Sequence, residues 1–172
     1  MKFKLFVMVV MMIAGQNASA QKVMKPGGWE FVSDITVSAK DGSQRTGQSK
    51  TSVCFTKALL AREIYLDPKY EEGQMVGKGG TCAVFDFKKQ GSSATWNMSC
   101  NMPRGVKVEM FYKNSASETD LISEVTQTII SDPKGTEVLT LIKAQYVGEC
   151  TSEMKTPEVQ TSGQTPKQPQ KK

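Results

Sequence analysis

The sequence predicts a mainly β fold: a single antiparallel meander of about seven strands, curled or barrel-like, with one short helix between strands 2 and 3. Three observations predict it. Apolar and polar residues alternate with period 2 over most of the chain, the spacing that sends successive side chains to opposite faces of a strand. Short turn signals, among them Asp41-Gly42, Gln90-Gly91 and Asp132-Pro133-Lys134-Gly135, separate these stretches. Four cysteines, Cys54, Cys82, Cys100 and Cys150, are spread through them, an even number that reads as two disulfides in an exported protein.

Export is expected from the first twenty residues. Lys2 and Lys4 form a basic start, residues 5–15 are an unbroken apolar run, and Ala18-Ser19-Ala20 supplies small residues for cleavage after Ala20. That run is too short for the roughly 20 residues that span a bilayer, so the mature product is expected not to span a membrane. Lys and Arg total 22 against 17 Asp and Glu, a net charge of +5 that falls to +3 when Lys2 and Lys4 leave. Such a mild excess, unclustered, argues against a nucleic-acid partner.

The mature chain is the length of one domain, assigned to residues 25–150. A first strand carries Trp29, Phe31, Ile35 and Val37 on one face. Its return arm from Gln44 is polar at nearly every position, as an edge strand or one wet on both faces would be. Thr56 is placed to cap a helix over 57–66, which Asp67-Pro68 should stop. The four glycines Gly73, Gly77, Gly79 and Gly80 then read as a loop. Residues 83–100 form the central hairpin. With Gln90-Gly91 as its loop, Phe85 faces Trp96, Phe87 faces Ala94 and Ala83 faces Met98, so both arms put their apolar sets on one side. Another alternating strand runs from Val106, a β-branched strand with apolar residues on both faces from Leu121 to Ile130, and a last strand from Val138 to Val147. Beyond Cys150 the Thr-, Pro-, Gln- and Lys-rich stretch 151–172 buries too little apolar surface to offset its ordering entropy and is expected to be disordered.

That register puts Cys82 and Cys100 on opposite faces, so a direct bridge between them needs a bulge. Cys54 with Cys82 and Cys100 with Cys150 are therefore favoured. In a strict up-and-down order, however, Cys150 lies across the sheet from Cys100, so either the strand count or the pairing must give.

Taken together, Lys25-Pro26-Gly27-Gly28-Trp29-Glu30, Cys54-Phe55-Thr56, Cys82, Thr95-Trp96-Asn97-Met98-Ser99-Cys100 and Tyr146-Val147-Gly148-Glu149-Cys150 resemble a family of small exported bacterial proteins, the domain of unknown function 3617. The resemblance implies a periplasmic location in a Gram-negative bacterium and brings no activity.

No catalytic residues are assigned. The chain has no histidine, which removes the commonest general base and metal ligand. The cysteines stand 28, 18 and 50 residues apart, unlike the close pairs of zinc sites, so neither metal nor cofactor is expected. An enzyme would have to draw on Glu71, Glu72, Asp86 or Lys78. Adjacent carboxylates in a glycine-rich stretch are usually solvent-facing, and Gly77-Lys78-Gly79-Gly80 lacks the strand, helix and Lys-Ser/Thr ending of a phosphate loop. The expectation is a non-enzymatic binding protein. Its ligand would be an apolar small molecule against a wall of Trp29, Phe31, Trp96, Met98 and Met110. It could instead take a protein as an added strand along the polar second strand, Gln44 to Ser52; the alternative is an accessory subunit of an envelope complex, with the Lys-rich tail as a tether.

Overall fold

Seven antiparallel strands form one open sheet: β1 (Gly27–Ser38), β2 (Gln44–Phe55), β3 (Thr81–Gln90), β4 (Ser93–Asn101), β5 (Lys107–Ala116), β6 (Asp120–Ile129) and β7 (Glu137–Gly148). The computed structural model describes residues 24–157. The expected signal peptide (1–20) and most of the expected disordered tail (158–172) lie outside the described residues. The strand order is β2-β1-β7-β6-β5-β4-β3. From β3 to β7 the chain runs up and down through short turns, as its turn chemistry requires. The long connection over 56–80 takes it from one edge strand, β2, to the other, β3, which leaves β7 free to return beside β1.

This order decides the disulfides. The favoured pairing of Cys54 with Cys82 and of Cys100 with Cys150 is wrong: the bridges are Cys54–Cys150 and Cys82–Cys100. Gly28 lies opposite Cys54 on one side and Gly148 on the other, so the chain leaving β7 arrives beside the end of β2. Cys82 and Cys100 are direct cross-strand partners.

The central hairpin also differs from its expected register. Gly91 and Ser92 form its turn, Gln90 pairs with Ser93, and Phe85 lies opposite Asn97 rather than Trp96. A bulge between Phe85 and Lys88, with Asp86 at φ 54°, shifts the ladder and separates the two phenylalanines that simple alternation would keep together. Phe85 is left on the outer face, 46% exposed, while the Phe87 ring meets Trp96 edge-on at 6.4 Å.

Helix begins where the sequence put it but has its main body one segment later. Thr56 caps α1 (Lys57–Leu60), its hydroxyl accepting from the Leu59 N–H at 3.2 Å. Asp67-Pro68, expected as a stop, instead starts α2 (Pro68–Gly77). The Asp67 carboxylate accepts from the Lys69 N–H at 3.0 Å, and Pro68 takes the first helical position, where no hydrogen bond needs its missing N–H. The expected glycine-rich loop is thus helix and its cap. Gly80 N–H reaches the Met75 carbonyl at 3.0 Å, Gly79 N–H reaches that of Val76 at 2.8 Å, and Gly79 takes the left-handed φ of 85° that this termination requires.

The core lies between these helical segments and one face of the sheet, called here the inner face. Trp29, Trp96, Met98, Leu66 and Met24 are its largest fully buried side chains. Met24, just ahead of the expected domain start, is pinned because Lys25 N–H donates to the Glu118 carbonyl at 3.0 Å. At the other end, 151–157 folds back on β2: Cys54 N–H donates to the Lys155 carbonyl at 2.9 Å, and Lys155 bridges Val53 in parallel.

Candidate ligand-binding site on the inner face

Antiparallel pairing arranges the inner-face side chains in rows across the sheet. One row runs Trp96 (β4), Tyr112 (β5), Val125 (β6), Thr140 (β7) and Ile35 (β1); beside it runs Met98, Met110, Gln127, Val138 and Val37. On the other side run Ala94, Asn114, Ser123, Ile142 and Ser33. All three rows are buried at β4 and β5 and partly exposed from β6 to β1. The cover is the helical segment 57–77: α2 packs chiefly on β3 and β4, and the buried stretch Ile64-Tyr65-Leu66 before it reaches Asn114 on β5.

The five residues expected to form a ligand wall therefore divide. Trp29, Trp96 and Met98 keep 1% exposure or less and Met110 keeps 4%, so these four are packed into the core. Phe31 alone is partly buried. It continues along β1 into Ile35 and Val37, next to Val138 and Ile142 on β7 and Val125 on β6, all partly exposed. Alternation in the first strand made Ile35 and Val37 legible as companions of Phe31. The residues of β6 and β7 had no such signal, because those strands carry apolar residues on both faces.

At the boundary between the covered and open parts sits a polar group. The Trp96 and Tyr112 rings stack at 4.8 Å with 11° between their planes. The Trp96 indole N–H is buried and has no hydrogen-bond partner, whereas that of Trp29 donates to the Lys25 carbonyl at 2.9 Å. The Tyr112 hydroxyl donates to the Met110 sulfur at 3.4 Å, a weak acceptor. Burial holds the Tyr112 phenol well above its ordinary value, and the nearby Glu71 carboxylate raises it further. Glu71, on α2, is itself only partly exposed; burial pushes its carboxyl up, opposed by the charge of Lys78. An unmade hydrogen bond on a buried donor costs about 1–3 kcal/mol, so this corner holds polar capacity that the fold leaves unused.

Asn114 is a buried polar member of β5. Its amide donates to the Tyr65 carbonyl at 2.7 Å and its oxygen accepts from Ser123 at 2.8 Å, tying the helical segment to the sheet. Of the carboxylates and lysine considered for catalysis, Glu71 and Glu72 share α2, and Lys78 is exposed at that helix's C-terminus. Asp86 stands apart at the bulge, exposed, accepting from the Asn97 amide at 3.3 Å. Among the described residues no group of three or more His, Cys, Asp or Glu is placed to hold a metal. Nor is any helix among them long and apolar enough to cross a membrane.

A second, polar groove of about 410 Å³ lies where 151–155 meets the edge of β2, lined by Lys50, Thr51, Ser52, Thr151, Glu153, Met154 and Lys155.

No curated protein and no solved structure matches the chain. The model of a family described as a protein of unknown function, DUF3617, matches residues 24–150. That span takes in every strand, both cystine bridges and the inner face, and the chain belongs to this family.

Proposed function

We propose that the protein is an exported, non-enzymatic binding protein that holds an apolar small molecule against the open half of its inner face. One observation carries this reading. Ile35, Val37, Val125, Val138 and Ile142 share the inner face of β1, β6 and β7, in the same three rows that are buried at β4 and β5, and there they are partly exposed, with the half-buried Phe31 further along β1. These apolar side chains, interleaved with Ser33, Ser123, Gln127 and Thr140, offer the mix of apolar contacts and a few polar groups that suits a small-molecule surface. The two disulfides are typical of oxidising compartments, which supports export. The basic start, apolar run and Ala18-Ser19-Ala20 support the periplasm as the destination.

Purification from the periplasm without detergent, followed by solvent extraction and mass spectrometry, tests this. A stoichiometric apolar molecule in the extract is expected; an empty extract from fully folded protein contradicts the reading.

A second reading, an accessory subunit of an envelope complex, is favoured by β2. This edge strand is exposed from Gln44 through Thr51. Cys54 points its N–H away from β1, toward Lys155, so by alternation those of Thr46, Gln48 and Lys50 also point outward. An extended partner strand would add there. Pull-downs with and without 151–172 test whether the tail takes part, and unchanged partners remove it from that role.

A further inference from the structure

We infer that the outer face of the sheet is the interface of a two-fold dimer, its occupant a second copy of this chain. The inner-face binding proposed above does not depend on it.

The register sets Phe85 (β3), Asn97 (β4), Phe111 (β5), Thr126 (β6), Leu139 (β7) and Thr36 (β1) in one row across the outer face. Phe85, Phe111 and Leu139 are 46%, 40% and 39% exposed, and Ile122, further along β6 on the same face, is 46% exposed. The helical segment covers the inner face only, so these side chains stay in water. Open aromatic and aliphatic groups among short uncharged ones such as Asn97, Thr126 and Ser99 have the charge-poor, aromatic composition of an interface centre.

Charge selects the occupant. The outer positions of β5 read Glu109, Phe111, Lys113, and those of β7 read Glu137, Leu139, Leu141, Lys143. Both strands are antiparallel to β6 between them, so they run in the same direction and put their acids at one end of the face, their lysines at the other and apolar residues between. None of these four charges is in an ion pair among the described residues. Two other carboxylates lie on the face: Glu124 on β6 stands opposite Lys113, and Asp34 on β1 accepts from the Gln48 amide at 2.7 Å. β4 carries no charge.

A half-turn about an axis lying across the strands reverses the acid-to-lysine order. A second copy turned in this way lays lysines over carboxylates and apolar centre over apolar centre, an isologous contact that the chain's own pattern supplies. The twist of each sheet lets two such faces pack with their strands about 30° apart. Size permits it as well: seven strands of 9–12 residues make a face about 34 Å wide and about 30 Å long, on the order of 1,000 Å², against about 800 Å² per partner in a standard interface.

Sedimentation equilibrium of the mature protein over a range of concentrations tests this. The natural chain is expected to dimerise. Phe111→Glu, at an exposed position, should weaken the dimer at least tenfold with the circular dichroism spectrum unchanged. Glu137→Lys and Lys143→Glu should each do the same, because each sets like charges against one another across the two-fold axis. An equimolar mixture of these two charge-reversed chains should dimerise again, since every lysine then meets a carboxylate of the other chain. A natural chain that stays monomeric throughout, bare or carrying a lipid or another protein on this face, overturns the inference. So does a dimer that Phe111→Glu leaves intact, or a mixture of the charge-reversed chains that fails to reassociate.

Discussion

Glu71 shows how one residue changes meaning when it folds. In the sequence it is half of an acidic pair in a glycine-rich stretch, which reads as solvent-facing; in the fold it is partly buried, because that stretch is a helix packed on β3 and β4. Burial raises its carboxyl pKa, so the folded state keeps the proton to higher pH than the unfolded chain does. Its contribution to stability is full below the ordinary carboxylate range and is lost as pH rises through the raised value. Urea melts of the ligand-free protein should therefore show Glu71→Gln gaining on the natural chain as pH rises from about 4 toward 8; a gain confined to acid would contradict the burial. Gly27 is constrained by space instead. Its φ is 139°, and a Cβ there would collide with the Gly148 carbonyl oxygen and crowd Tyr146. Gly27→Ala should cost about 2–4 kcal/mol in the same melts, beyond ordinary surface substitutions.

At the scale of elements, legibility followed local chemistry. Strands with one wet face were readable because alternation reports a half-buried surface, and β1 and β4 put Trp29, Phe31, Trp96 and Met98 on the inner face as expected. The bulge at Asp86 was not readable, since no residue type demands it and its effect is to break the alternation used to set register. Asp67-Pro68 failed for another reason: the same dipeptide ends one helix and begins the next, and its role depends on whether the residues after it can continue as helix. With Asp67 as the cap of α2, Asp67→Ala should cost about 1 kcal/mol. The same change should loosen the cover over Trp96, visible as faster hydrogen exchange in 68–77 with β1 unaffected.

For the whole molecule, the order of strands was the hidden quantity. Turn signals count strands but say nothing of which edge the long 56–80 connection reaches, and only the return of β7 beside β1 brings Cys150 to Cys54. Non-reducing peptide mapping should find Cys54–Cys150 and Cys82–Cys100. The separations of 96 and 18 residues make the first bridge the stronger clamp, nearly 5 against about 3 kcal/mol by loop-closure entropy, so replacing its cysteines by serine should lower stability more. The same order sets the half-covered inner face. The helical segment leaves β2 and packs its longer helix chiefly on β3 and β4, and β1, β6 and β7 keep apolar side chains partly open. Binding at that open half is most directly measured as uptake of an uncharged fluorescent dye by the double variant Ile35→Lys/Ile142→Lys. The account predicts at least a tenfold loss of dye affinity with the circular dichroism spectrum and both disulfides retained; unchanged uptake by the folded variant would contradict it.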